Sequence, residues 1–173
     1  WDESRQKLYE SYMARLTAGL CLPLSWIENT IWLDFCEEFL PEANNVSRKV
    51  LTTRVLPAET ERYRDIAKTK CIGMLVTIQC DGFTPKNRIH LVAFMMAANG
   101  SVYTIRTYDT STEPKNAINL LKMVREVLTH VEKDWQVTVV AVTSDCSGES
   151  RLAREMLVKE RPHLVAPDCY AHQ

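Results

Sequence analysis

Two aspartates, each delivered by an apolar run, carry the candidate chemistry of this chain. Ile72 to Cys80 (IGMLVTIQC) leads into Asp81, followed by Gly82, Phe83 and a turn at Thr84-Pro85. Val137 to Thr143 (VTVVAVT) leads into Ser144-Asp145-Cys146-Ser147-Gly148. Runs of this length and β-branched content read as strands covered on both faces. Two carboxylates side by side at the ends of neighbouring strands repel one another unless a cation lies between them. Hard oxygen ligands suit Mg²⁺ or Mn²⁺ better than zinc. Paired ions about 3.5–4 Å apart can bind the attacking and leaving oxygens in phosphoryl transfer. Asp81 and Asp145 are therefore the candidate catalytic and metal-binding residues, with Mg²⁺ or Mn²⁺ as the cofactor. Each acid also has a local reading: Asp81 as a turn acid before Gly82, and Asp145 as the cap of the helix that follows.

A metal pair of this type calls for a third acid. Glu149, four residues past Asp145, is near enough in sequence, but at a helix start it reads as a complement to the macrodipole. Asp109 ends a third strand on the same edge, two strands away, and belongs to an Asp109-Thr110-Ser111-Thr112 turn and cap. Cys169-Tyr170-Ala171-His172 has half of a zinc spacing without a complementary pair, so His172 reads as structural. His90, His130 and His163 form no constellation. Arg48, Lys49 and Arg54, then Arg62, Arg64, Lys68 and Lys70, offer either a positive face or ordinary solvated helix surfaces.

The totals bound the setting. A chain of 173 residues is a one-domain length, with room for a helical appendage. It can bury roughly 70% of its unfolded surface without staples. With a net charge of −1, a general affinity for nucleic acid is not written in the composition. The six cysteines include no C-x-x-C pair and read as reduced thiols of an intracellular protein. No apolar run reaches the roughly 18 residues of a membrane span, and no basic-then-apolar leader is visible. The chain opens at Trp1 and stops at Gln173, and reads as an excerpt from something longer.

The elements that must hold the acids follow from periodicity. Leu8, Tyr12, Leu16 and Leu20, with Tyr9 and Met13 beside them, predict an amphipathic helix from Glu3 to about Gly19. Ile31, Trp32, Phe35, Cys36, Phe39 and Leu40 mark a second, stopped by Pro41. Ser47 caps a short third over Lys49 to Leu56, and Pro57 opens a polar fourth reaching about Lys70. These helices read as a small bundle that buries its Trp and Phe residues. From Cys71 the period becomes two. Strands are expected at Ile72 to Cys80, Arg88 to Ala97 and Ser101 to Tyr108, with a hairpin turn at Asn99-Gly100. Thr112-Glu113-Pro114 starts a helix with an apolar stripe from Ala117 to Val131. A strand over Val137 to Thr143, a helix over about Glu149 to Glu160 and a short strand at Leu164 to Ala166 complete the order.

That order is β-β-β-α-β-α-β. A hairpin meander followed by a right-handed crossover sets the fourth strand beside and parallel to the first. The expected fold is α/β: a ribonuclease H-like mixed sheet, strand order 3-2-1-4-5, over residues 71–173, preceded by a helical region over 1–70. In it Asp81 and Asp145 sit at one edge, about 5 Å apart in backbone.

At this point the chain resembles the hAT superfamily of DNA transposases. The likeness rests on the Leu22-Pro23-Leu24-Ser25-Trp26-Ile27 segment, the Trp32-to-Pro41 helix and Ser47-Arg48-Lys49-Val50-Leu51. It continues through Cys80-Asp81-Gly82-Phe83-Thr84, His90-Leu91-Val92-Ala93-Phe94, Val142-Thr143-Ser144-Asp145 and Cys169-Tyr170-Ala171-His172, in the family's order. Phe83 stands where a Trp is common, and Cys146 where an Asn often follows. The resemblance implies DNA cleavage and strand transfer by an Asp-Asp-Glu triad with divalent metal, Asp81 being the first acid and Asp145 the second. The family's glutamate follows a helical insertion beyond the fifth strand, past Gln173, so this chain holds two thirds of the triad and is inactive alone. DNA is the implied partner, self-association the implied assembly through regions partly outside the chain, and the nucleus the implied location, with no membrane role. The competing reading is a domesticated module that keeps the fold and binds DNA or protein without chemistry.

Overall fold

The computed structural model describes residues 1–86 and 89–169, and it divides into two compact units, Trp1–Ile66 and Ala67–Gln173. The first unit is helical. Helix α1 (Glu3–Gly19) is capped by Asp2, whose side chain accepts from the Arg5 amide, and α2 (Thr30–Phe39) by Asn29. Then come α3 (Arg48–Val50), a π turn over Leu51–Val55 and α4 (Leu56–Cys71). The separate third and fourth helices expected from the sequence are thus one helical run. Pro57 cannot donate to the helix and its ring crowds the preceding turn. The wide π turn just before it, where the Leu56 amide reaches the Leu51 carbonyl, accommodates this without a break.

The face that α1 buries also differs from expectation. Leu8, Tyr12, Leu16 and Leu20 are exposed, whereas Tyr9, Met13, Ala14 and Thr17 are buried. Polar anchoring selects the second stripe. Tyr9 Oη meets Cys36 Sγ at 3.5 Å, and Trp26 Nε1 donates to Thr17 Oγ1 at 2.9 Å. Around them Ile27, Val46, Leu51 and Val55 close the core of the unit. The aromatics of α2 divide: Phe35 and Phe39 are exposed, Trp32 is half-buried against the core with Trp1 and Trp26, and Cys36 is the buried residue of that helix.

The second unit is an α/β layer. Among the described residues its sheet has four strands, β1 (Leu75–Phe83), β2 (Leu91–Ala98), β3 (Ser101–Asp109) and β4 (Thr138–Thr143). Their order is β3-β2-β1-β4, with β4 parallel to β1 and the other pairings antiparallel. Asn99 and Gly100 both take positive φ, 46° and 74°, as the two-residue turn joining β2 to β3 requires. The expected fifth strand appears as two isolated parallel bridges to the β4 segment, Ala141 to Val165 and Ser144 to Asp168. Arg88, the expected start of the second strand, lies outside the described residues.

Strand β1 begins and ends three residues later than the apolar run suggested. Gly73, at φ 74°, turns the chain out of α4, and its amide is taken by the Gln136 carbonyl. At the far end, pairing with β2 carries the ladder past Cys80 through Asp81–Ala93 and Gly82–Val92 to Phe83–Leu91. The strand is covered on one face only: Val76, Ile78 and Cys80 are buried, while Leu75 is 67% exposed. Helices α5 (Ala117–Asp134) and α6 (Gly148–Glu160) explain this, because both pack into the single core cluster that holds those three side chains. Leu121, Leu128, Val127 and Val131 of α5 are almost fully buried there, each worth about 1.5–3 kcal/mol against exposure. Helix α5 starts at Ala117, later than the Thr112 expected, because Asn116 supplies the cap by accepting from the Asn119 amide at 2.9 Å.

Candidate functional site

One cleft brings the two aspartates together. In the parallel pair, Gln79 lies level with Thr143. That is the last pair of the β1–β4 ladder, and Asp81 and Asp145 each stand two residues beyond it. The alternation of β1 buries Cys80 and turns Asp81 to the side on which Gln79 lies, where it is exposed. Asp145 is half-buried just beyond the Ser144 bridge. Both acids line one cleft of about 80 Å³, with Gly82, Glu113, Lys115, Asn116 and Ser147 among its other walls.

Neither local reading of the acids survives. Asp81 is inside β1, paired with Ala93, and not in a turn. The cap of α6 is Ser147, whose Oγ accepts from the Ser150 amide at 3.3 Å. Ser147 also donates to Asp145 Oδ1 at 3.0 Å, so the cap that starts α6 orients the carboxylate as well.

The buried thiol beneath the acids registers their charge. Cys80 is 7% exposed, and its thiol is pushed up to about 12 by burial first and then by the Asp145 carboxylate. Asp81 pushes in the same direction, while the Arg154 guanidinium and a hydrogen bond from Ser144 oppose them. Burial and negative neighbours both disfavour a thiolate. Cys80 is therefore an inert thiol at neutral pH and not a nucleophile.

The third acid is not supplied locally. Glu149 lines the cleft from the first turn of α6, but its carboxylate faces Lys115 Nζ at 3.5 Å. Glu113, overlooked in the sequence, lines the same cleft from the turn ahead of α5. Asp109 is separated from β1 by β2. Its Oδ1 accepts from the Ser111 hydroxyl and amide at 2.6 and 3.0 Å, which hold its carboxyl below the usual range. Among the described residues, no three His, Cys, Asp or Glu side chains are grouped to hold a metal ion. Cys169 is half-buried with its amide on the Ser144 carbonyl at 2.8 Å, and His172 lies outside the described residues.

A donor set of two carboxylates at the mouth of a small cleft fits a hard cation that keeps much of its water, as Mg²⁺ does. The open volume holds several waters. No family model matches the chain, and no curated protein matches it.

The four arginines of the basic runs are each paired with a glutamate. Arg54 makes a two-pronged pair with Glu10, both contacts 2.8 Å. Arg62 pairs with Glu59 at 2.5 Å, Arg64 with Glu61 at 2.6 Å and Arg48 with Glu28 at 3.7 Å. Among the described residues, no helix is long and apolar enough to cross a membrane. The sequence reading also missed Arg154. A signal was present: Ser150, Ala153, Arg154 and Leu157 form the inward stripe of α6, and an arginine there must find partners inside.

Proposed function

We propose that the Ala67–Gln173 unit is part of a ribonuclease H-like core of the hAT transposase type, in which Asp81 and Asp145 hold Mg²⁺ or Mn²⁺ for DNA cleavage and strand transfer. The observation that carries the reading is the shared cleft lined by both acids, each of which follows the last pair of the parallel β1–β4 ladder by two residues. The pair requires a cation to offset its own repulsion. When bound, the metal would polarise a phosphodiester and stabilise the charge that develops on it. The chain's own part is to hold the carboxylates in place: pairing with Ala93 of β2 fixes Asp81, and Ser147 orients Asp145. DNA is the proposed substrate, and a third acid from beyond the described residues would complete the set.

The ion pair that Glu149 makes with Lys115 inside the cleft favours a second reading. In it the fold persists as a DNA- or protein-binding module without chemistry. Titrating MgCl₂ into the isotope-labelled chain separates the two. Amide shifts centred on Asp81 and Asp145, lost in Asp81→Asn, support the metal-dependent core. No shift at either residue at millimolar metal favours the module.

A further inference from the structure

Arg154 is 6% exposed, the most buried cation of the second unit among the described residues. A guanidinium taken out of water is costly unless its donors are satisfied. Here they converge on the end of β4. Nη1 donates to the Asp145 carbonyl at 2.7 Å, to the Ser144 carbonyl at 3.3 Å and to Ser144 Oγ, while Nη2 donates to Asp168 Oδ1. The Ser144 carbonyl takes a further donor, the Cys169 amide at 2.8 Å, and Ser144 bridges Asp168 in parallel.

One planar group thus ties three things together: the main chain on both sides of the Ser144–Asp145 peptide, the inward face of α6 and the segment bearing Asp168. The sheet ladder has already ended at Thr143, so these contacts, with the Ser144 bridge and the Ser147 bond, are what hold the main chain at Asp145. Building on the metal-site reading, we propose that Arg154 is the positioning residue of the acid pair, holding Asp145 level with Asp81 through its grip on the main chain, with Asp168 as its anchor. Arg154 is not among the residues that line the cleft, so its influence on the acids runs through its contacts to the main chain. Lysine in its place keeps the charge and the aliphatic stem, but a single ammonium lacks the rigid fork that reaches the β4 end and Asp168 at once.

The test measures Mn²⁺ binding to the full chain by the paramagnetic resonance of the free ion, in wild type, Arg154→Lys and Asp168→Asn, with thermal unfolding and a crystal structure of each. The expected result is a cooperatively folded variant whose Mn²⁺ affinity falls about 10–100-fold, the usual cost of losing a partner behind a ligand. Its Asp145 carboxylate should be displaced from its place beside Asp81. Affinity within about two-fold of wild type in both variants would overturn the proposal, since a merely structural arginine shifts unfolding and leaves binding in the folded protein intact. Wild type that takes up no Mn²⁺ removes the metal-site reading alone. The crystal structures then decide the positioning role: a shifted Asp145 upholds it, and a superposable Asp145 ends it. Asp168→Asn keeps the test alive if Arg154→Lys fails to fold.

Discussion

The thiol of Cys80 offers a quantitative test of the charge arrangement at the sheet edge. With its value pushed up to about 12, only about one molecule in 10⁴ carries a thiolate there at pH 8. An unperturbed thiol near 8.5 is about one quarter ionised at that pH, so the intrinsic contrast is on the order of 10³. Cys21 and Cys146 are exposed and supply the internal reference. Iodoacetamide labelling at pH 8, followed residue by residue by mass spectrometry, should therefore modify Cys21 and Cys146 long before Cys80. Asp145→Asn removes the second-largest cause of the upward shift and should speed Cys80 labelling, while burial keeps it slower than Cys146. The same shift predicts alkaline instability. A thiol raised in the folded state adds stability that is complete below the unfolded value and is lost as pH rises toward the folded one. Between pH 7 and 9.5 the loss from this group is on the order of 1 kcal/mol, read as the difference in pH dependence of urea unfolding between wild type and Cys80→Ala. Labelling of Cys80 as fast as Cys146, or the same alkaline slope in Cys80→Ala, would refute the reasoning.

Further predictions test the packing. Met13→Ala should cost about 2–5 kcal/mol and Leu8→Ala close to nothing, because the buried stripe of α1 is not the one its leucines mark; denaturant melts of the two variants check this. Thr17→Ala should destabilise the first unit by about 1–3 kcal/mol, since it leaves the Trp26 indole without its acceptor, and Trp fluorescence during unfolding reports it. Ser147→Ala removes a helix cap and should cost about 1 kcal/mol in thermal unfolding of the second unit. Ser111→Ala should return the Asp109 carboxyl upward toward the ordinary range. A depressed carboxyl lends stability above its unfolded value that is lost as pH falls, so the Asp109 turn should loosen at a higher pH in that variant, as side-chain NMR would follow.

Much of the second unit was legible because local signals and global topology agree there. Asn99-Gly100 demanded positive φ at both residues, the stripe from Ala117 to Val131 matched one helix face, and the meander-then-crossover order left β4 little choice but to join β1. The first unit misled for a physical reason. Its apolar residues outnumber the positions its core can cover, so spacing alone could not choose between the Leu8 and Tyr9 stripes of α1; Cys36 and Trp26 made that choice from elsewhere in the chain. At the site, the strand ends pointed to Asp81 and Asp145, but the cleft they share is completed by residues ahead of α5 and at the start of α6. Arg154 and Ser147 act through contacts to main chain and cap that no local pattern announces.

The most direct measurement is the anomalous scattering of Mn²⁺ in crystals of the full chain. The account predicts a peak between the carboxylates of Asp81 and Asp145, absent from Asp81→Asn crystals grown in the same metal. Well-ordered carboxylates with no peak between them at millimolar Mn²⁺, or a peak that persists in Asp81→Asn, would contradict it.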